Sequence, residues 1–204
     1  MHSIDRATGR LHRDTLAFDP AARLWTPAAA PAEPEPAGPE AALSWLQRRS
    51  GHPVRPPVGV IGPNEASAEV LAAAEAVGRV LGRCGLTLLC GGRQGVMEAA
   101  SRGASAEGGL TVALLPGADP AQANPFVAVP IATGIGEARN ALIAQASLCL
   151  VSVGDSYGTL SEVALGLRLG KRVFGLAGAA RIDGVRHLDG ADALAAELAD
   201  LILN

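Results

Sequence analysis

Residues 58–90 read VGVIGPNEASAEVLAAAEAVGRVLGRCGLTLLC. An apolar run, Val58 to Ile61, breaks at Gly62-Pro63, and a segment rich in alanine, valine and leucine follows from Ala66 to Arg83. A second apolar run closes the unit at Thr87 to Cys90. Short apolar runs alternating with helical segments predict βαβ units, in which a crossover helix returns the chain to a parallel strand. The pattern continues downstream: a helix over 94–107, strands over 111–115 and 126–131, a helix over 136–146 and a strand over 148–153. A helix over 159–169, a strand over 172–176 and a last helix over 191–201 complete it. The expected fold class is α/β, a doubly wound parallel sheet with helices on both faces. Such a sheet takes its ligand outside the carboxyl ends of the strands.

Upstream the character changes. Residues 27–39, PAAAPAEPEPAGP, are too rich in proline for a helix or a central strand and predict an extended polyproline-type linker. Ahead of it, Leu11 to Phe18 and Arg23 to Thr26 flank the turn signal Asp19-Pro20, which predicts a small hairpin. Behind it, Glu40 to Arg49 reads as a short amphipathic helix ending near Gly51 and Pro53. The expected organisation is an amino-terminal extension over residues 1–57 and a nucleotide-binding domain over 58–204.

Composition narrows the function. The chain has 204 residues, 49% apolar, 18% charged and 3% aromatic, with a formal net charge of −3. That profile suits one main packed core with an appendage. No run of arginines is present to neutralise successive phosphates, so nucleic acid is not an expected partner. Few aromatic rings are available to stack on a base, Phe126 and Tyr157 being nearest the motifs. Cys84, Cys90 and Cys149 lack metal-ligand spacing and read as reduced core residues, and His2, His12, His52 and His187 are scattered, so no metal site is expected. The charged start of the chain and the lack of about 18 consecutive apolar residues predict a cytoplasmic protein without a membrane partner.

Three loops run from strand ends into helices with enough glycine to let a ligand approach the backbone. They are Gly62-Pro63-Asn64-Glu65, then Gly91-Gly92-Arg93-Gln94-Gly95-Val96-Met97, then Gly154 through Glu162. The expected ligand-binding set is Gly62, Gly91, Gly92, Gly95, Val96, Met97, Arg139, Asn140, Tyr157, Gly158, Thr159 and Glu162. Plainer readings stand beside this one. Thr159-Leu160-Ser161-Glu162 fits a capping box, in which the glutamate only closes its own helix start. Arg93 and Glu98 read as helix-end residues, Arg139 as a surface charge, and Tyr157 equally as a pocket cover or a packing residue.

The strings GGRQGVMEAASRGA (91–104), IATGIGEARN (131–140) and GDSYGTLSEVALGLRLGKRV (154–173) resemble the Lonely Guy (LOG-like) Rossmann family, once labelled lysine decarboxylases. Within it they are most similar to the bacterial nucleotide-binding branch that includes molybdenum cofactor carriers. The resemblance spans roughly residues 58–178 and leaves the extension unexplained. It implies a Rossmann-like fold, a homodimer or higher oligomer, and phosphate-binding positions at Gly91, Gly92, Gly95, Gly158 and Thr159. For the family's enzymes it implies hydrolysis of the N-glycosidic bond of nucleoside 5′-monophosphates, with Arg139 and Glu162 as the catalytic pair. Cleavage passes through a cation-like sugar that a carboxylate steadies while a guanidinium grips an anion.

Two departures weigh toward binding. The family's Pro-Gly-Gly is Gly154-Asp155-Ser156 here, placing a carboxylate at the loop where a phosphate is expected; at about 4 Å such a contact costs about 1 to 4 kcal/mol. Arg139-Asn140 stands where the enzymes carry Arg-Lys, as in the carrier branch. The older decarboxylase activity needs a Schiff-base lysine, and the only lysine is Lys171, between a helix and a strand. The sequence therefore predicts a binding protein for a phosphorylated, nucleotide-like small molecule, a nucleotide or a molybdenum-type pterin cofactor, with phosphoribohydrolase activity as the alternative.

Overall fold

In the computed structural model, which describes residues 2–204, the amino-terminal segment forms more than a hairpin. Strands β1 (His2–Asp5), β2 (Leu11–Arg13), β3 (Leu16–Asp19), β4 (Leu24–Pro27) and β5 (Pro34–Ala37) make an antiparallel sheet in the order β4-β3-β2-β1-β5, followed by helix α1 (Pro39–Arg48). The expected hairpin is there as β3–β4, its turn fixed by the Asp19 carboxylate, which accepts from the Ala21 and Ala22 amides at 2.9 and 3.0 Å. The supposed linker contributes β5. Pro34 and Pro36 have no N–H to donate, and β5 accordingly lies at the sheet edge against β1. Asp5 closes this corner, its carboxylate accepting from the Thr8 hydroxyl at 2.8 Å and the Glu33 amide at 3.0 Å.

The remaining strands, β6 (Val58–Ile61), β7 (Leu88–Cys90), β8 (Thr111–Leu115), β9 (Val129–Ala132), β10 (Leu150–Val153), β11 (Val173–Leu176) and β12 (Val185–His187), form one parallel sheet in the order β12-β11-β10-β6-β7-β8-β9. Helices α2 (Ala68–Cys84), α3 (Val96–Ala106), α4 (Arg139–Ala146), α5 (Tyr157–Arg168) and α6 (Ala191–Leu203) connect and follow them. β6, β7, β10 and β11 are buried throughout, as strands covered on both faces must be. Helix α2 starts on a Ser67 cap and ends at Gly85 with φ of 74°, the left-handed stop that glycine supplies without strain. It packs closely on α3: a Cβ at Gly78 would lie 2.9 Å from the Ala100 carbonyl carbon.

The strand order fixes where a ligand belongs. The chain steps from β6 outward through β7, β8 and β9, then returns to β10 on the other side of β6 and steps outward again. The crevice between the carboxyl ends of β6 and β10 is the topological switch point. Two further differences from the expected elements are small. β12 is too short and polar to be legible, and residues 136–138 form a single 3-10 turn before α4.

Contacts group the chain into two compact units, one holding the residues up to Arg55 with Ala195–Asn204 and the other Pro56–Leu194. Within the first, Trp25 Nε1 donates to the Leu203 carbonyl at 2.6 Å, a pairing no sequence pattern announces. Among the described residues no helix is long and apolar enough to cross a membrane.

Candidate functional site

Three loops meet at the switch point. Gly62 ends β6 against a neighbour that leaves no room for a side chain: a Cβ there would lie 2.5 Å from the Val153 carbonyl and closer still to Val96. In the second loop Gly92 and Gly95 have φ of +72° and +67°, and a Cβ at Gly95 would sit 2.5 Å from the Pro63 carbonyl oxygen. Only glycine meets both demands. The Val96 amide donates to that same Pro63 oxygen at 3.1 Å, and Asn124 holds the loop from behind through its amide to Gly92 O (2.8 Å) and its side chain to Arg93 O (3.0 Å).

Helix α5 begins two residues earlier than the sequence suggested. Its N-cap is Ser156, whose hydroxyl accepts from the Thr159 amide at 3.1 Å and lies 2.8 Å from the Thr159 hydroxyl. Glu162 therefore does not close a capping box. One turn into the helix, it is released to face α4, where Arg139 Nη1 approaches its Oε1 at 3.3 Å. Both side chains are buried, at 5% and 8% exposure, so the surface-charge reading of Arg139 fails as well. Beside them Asn140 Nδ2 donates to Ser161 Oγ at 3.2 Å. Arg139 Nε and Asn140 Oδ1 are buried with no hydrogen-bond partner among the described residues.

These groups line a cleft of about 360 Å³, within the size range of small-molecule sites. Of the expected set, Gly62, Met97, Arg139, Asn140, Gly158, Thr159 and Glu162 line it. Gly91, Gly92, Gly95 and Val96 do not; they form its support. A Cβ at Gly91 would stand 2.6 Å from Arg139 Cζ, so that glycine is the seat of the guanidinium. Tyr157 is 93% exposed and outside the lining, as is the exposed Asp155, whose carboxylate does not face the cleft. Residues outside the expected set also line it: Arg93, read from the sequence as a helix-end residue, with Glu137, paired at 3.5 Å, and Ser156 and Ser161. Their signal was adjacency to the glycine motifs, which does not separate a helix-end charge from a pocket wall.

The electrostatics are balanced rather than strongly cationic. Two arginines, Arg93 and Arg139, face two glutamates, Glu137 and Glu162. Burial pushes the Glu162 carboxyl up to about 7, outweighing the attraction of Arg139, and the Glu137 charge adds to the rise. Glu162 is thus a proton-accepting and proton-releasing group near neutral pH. The Cys90 thiol beneath is held above its usual range by burial and is inert packing. No cluster of metal-binding side chains occurs among the described residues.

The sequence profile of the SLOG cluster4 family matches residues 55–199. Among solved structures, the molybdenum cofactor binding protein of Rippkaea orientalis is 34% identical, covering 74% of this chain and 99% of that one, with a TM-score of 0.68. The molybdenum cofactor carrier protein of Chlamydomonas reinhardtii is 34% identical over 74% of this chain and all of that one (100%), with a TM-score of 0.67. An uncharacterized protein of Archaeoglobus fulgidus is 44% identical over 129 residues, 63% of this chain and 85% of that one.

Proposed function

The chain belongs to the SLOG cluster4 family, and on that premise we propose that it is a carrier for a phosphorylated small-molecule cofactor of the pterin or nucleotide kind. One observation carries the reading: a cleft at the switch point of the sheet whose floor holds a buried Arg139–Glu162 pair, with an unpartnered donor on Arg139 and an unpartnered acceptor on Asn140. Buried polar atoms left without partners cost about 1 to 3 kcal/mol each, and a bound ligand relieves that cost. The likeness to molybdenum cofactor carriers across three quarters of the chain favours a pterin cargo.

The roles follow from chemistry. The α5 amino terminus offers amides at Tyr157 and Gly158 together with the Ser156 hydroxyl, and Arg93 stands at the rim; these suit an anionic group. Asn140 Oδ1 and Glu162 accept hydrogen bonds and suit the donor-bearing part of the cargo. An anion drawn to Arg139 weakens the Arg139–Glu162 pair and favours the protonated carboxyl, so binding takes up protons near neutral pH. Calorimetry with AMP, GMP and a molybdopterin-type cofactor, run in buffers of different ionisation enthalpy, tests this. Saturable binding of at least one compound with proton uptake supports it; no affinity for any of them refutes it.

The second reading is a phosphoribohydrolase acting on nucleoside 5′-monophosphates. Its specific support is Glu162, a buried carboxylate poised near pH 7 beside a guanidinium. It requires release of free base from AMP that Glu162→Gln abolishes.

A further inference from the structure

A second cleft, of about 670 Å³, adjoins the first in the same unit, and Arg93 lines both. It lies beyond the carboxyl end of β8, between the start of α3 and residues 121–125. None of the expected site residues lines it. Three properties define what it can hold. Arg93 is the one cation in its lining, and it stands where the two clefts join. Pro116 and Pro125 give it apolar surface, on which a ring system can lie without an aromatic partner. Glu98 supplies a half-buried carboxylate on the first turn of α3, and Gln94 adds a carboxamide.

The reading of Glu98 as a helix-end residue accounts for its place in the helix but not for its exposure to a cavity of this size. No cation other than Arg93 faces it there, and Arg93 is engaged by Glu137 from the first cleft. A carboxylate beside an apolar shelf accepts from two adjacent N–H donors, the pattern on the edge of a 2-amino-4-oxopyrimidine ring. Guanine and pterin both present that edge. Adenine does not.

Resting on the carrier reading, we propose that the site is bipartite. A two-headed ligand places one head in the Arg139–Glu162 cleft and its phosphate linker at Arg93. Its second head, bearing the 2-amino-4-oxopyrimidine edge, lies in the cleft of Glu98. The two cavities together exceed what one mononucleotide fills, and the only shared cation sits where a linker must cross.

The test is titration of the full chain with AMP, diguanosine 5′,5′-diphosphate, diadenosine 5′,5′-diphosphate and 6-hydroxymethylpterin diphosphate, repeated on Glu98→Gln. The expected result is that the guanine dinucleotide binds at least tenfold more tightly than the adenine dinucleotide. Glu98→Gln should erase that difference and leave AMP affinity unchanged. Because it presents the same ring edge, 6-hydroxymethylpterin diphosphate should show the same Glu98 dependence. If AMP binds but neither ring-edge compound gains over the adenine dinucleotide, or Glu98→Gln changes nothing, the second cleft is not a base site while the carrier reading stands. If nothing binds, AMP included, the carrier reading fails and the bipartite site with it.

Discussion

Glu162→Gln isolates the energetics of the buried pair. The carboxyl of Glu162 is raised from an ordinary value of 4.5 to about 7, chiefly because burial disfavours its charge. Between those two values the folded chain holds a proton that the unfolded chain has released. Stability contributed by this group therefore falls as pH rises through that window. A shift of that size corresponds to about 3 kcal/mol. The glutamine variant has no such proton to lose. Urea denaturation of both proteins at intervals from pH 4.5 to 8 cancels the titration of the histidines and other shared groups. Their difference should be near zero at the acid end. Above pH 7 the variant should be the more stable by about 3 kcal/mol. A difference that does not vary with pH, or one in which the wild type gains on the variant as pH rises, would refute the claim that desolvation outweighs the Arg139 attraction.

Gly91→Ala drives a methyl into the Arg139 guanidinium and should lower affinity for a phosphorylated ligand at least tenfold, with the circular dichroism spectrum retained; titration calorimetry checks this. Gly78→Ala meets the backbone of α3 rather than a movable side chain and should destabilise by about 1 to 3 kcal/mol, read as a lowered Tm. Ser156→Ala removes the cap of α5 and should cost about 1 kcal/mol in chemical denaturation, with a loss of ligand affinity beyond that of an exposed control such as Tyr157→Phe.

Much of the fold was legible because its signals are local. Val58–Ile61 is apolar throughout and Leu150–Val153 is apolar but for Ser152, as strands covered on both faces require, and Ser67 and Gly85 mark the ends of α2 by their own backbone preferences. The amino-terminal sheet was not legible beyond one hairpin. β1 and β5 are partners separated by some thirty residues, and β5 is a proline-rich strand that only an edge position permits. The glycine motifs located the site, but their roles were divided differently. Gly91, Gly92 and Gly95 carry positive φ or close contacts that seat Arg139 and lock the loops, a function visible only when the neighbours are known. Glu162 was named in the expected set, and its competing reading as the end of a capping box falls because the cap is Ser156 rather than Thr159, a shift that changes nothing in composition. Arg93 and Glu98 were equally ambiguous, because a charge at a helix end and a charge at a cavity wall have the same sequence signature.

Native mass spectrometry of freshly purified wild type and Arg139→Met bears most directly on the central claim, that the cleft floored by Arg139 and Glu162 holds a phosphorylated cofactor. The wild type should carry, or take up on addition of a molybdopterin-type compound, one small molecule per chain, and Arg139→Met should carry none while remaining folded. Equal occupancy in the two proteins would contradict it.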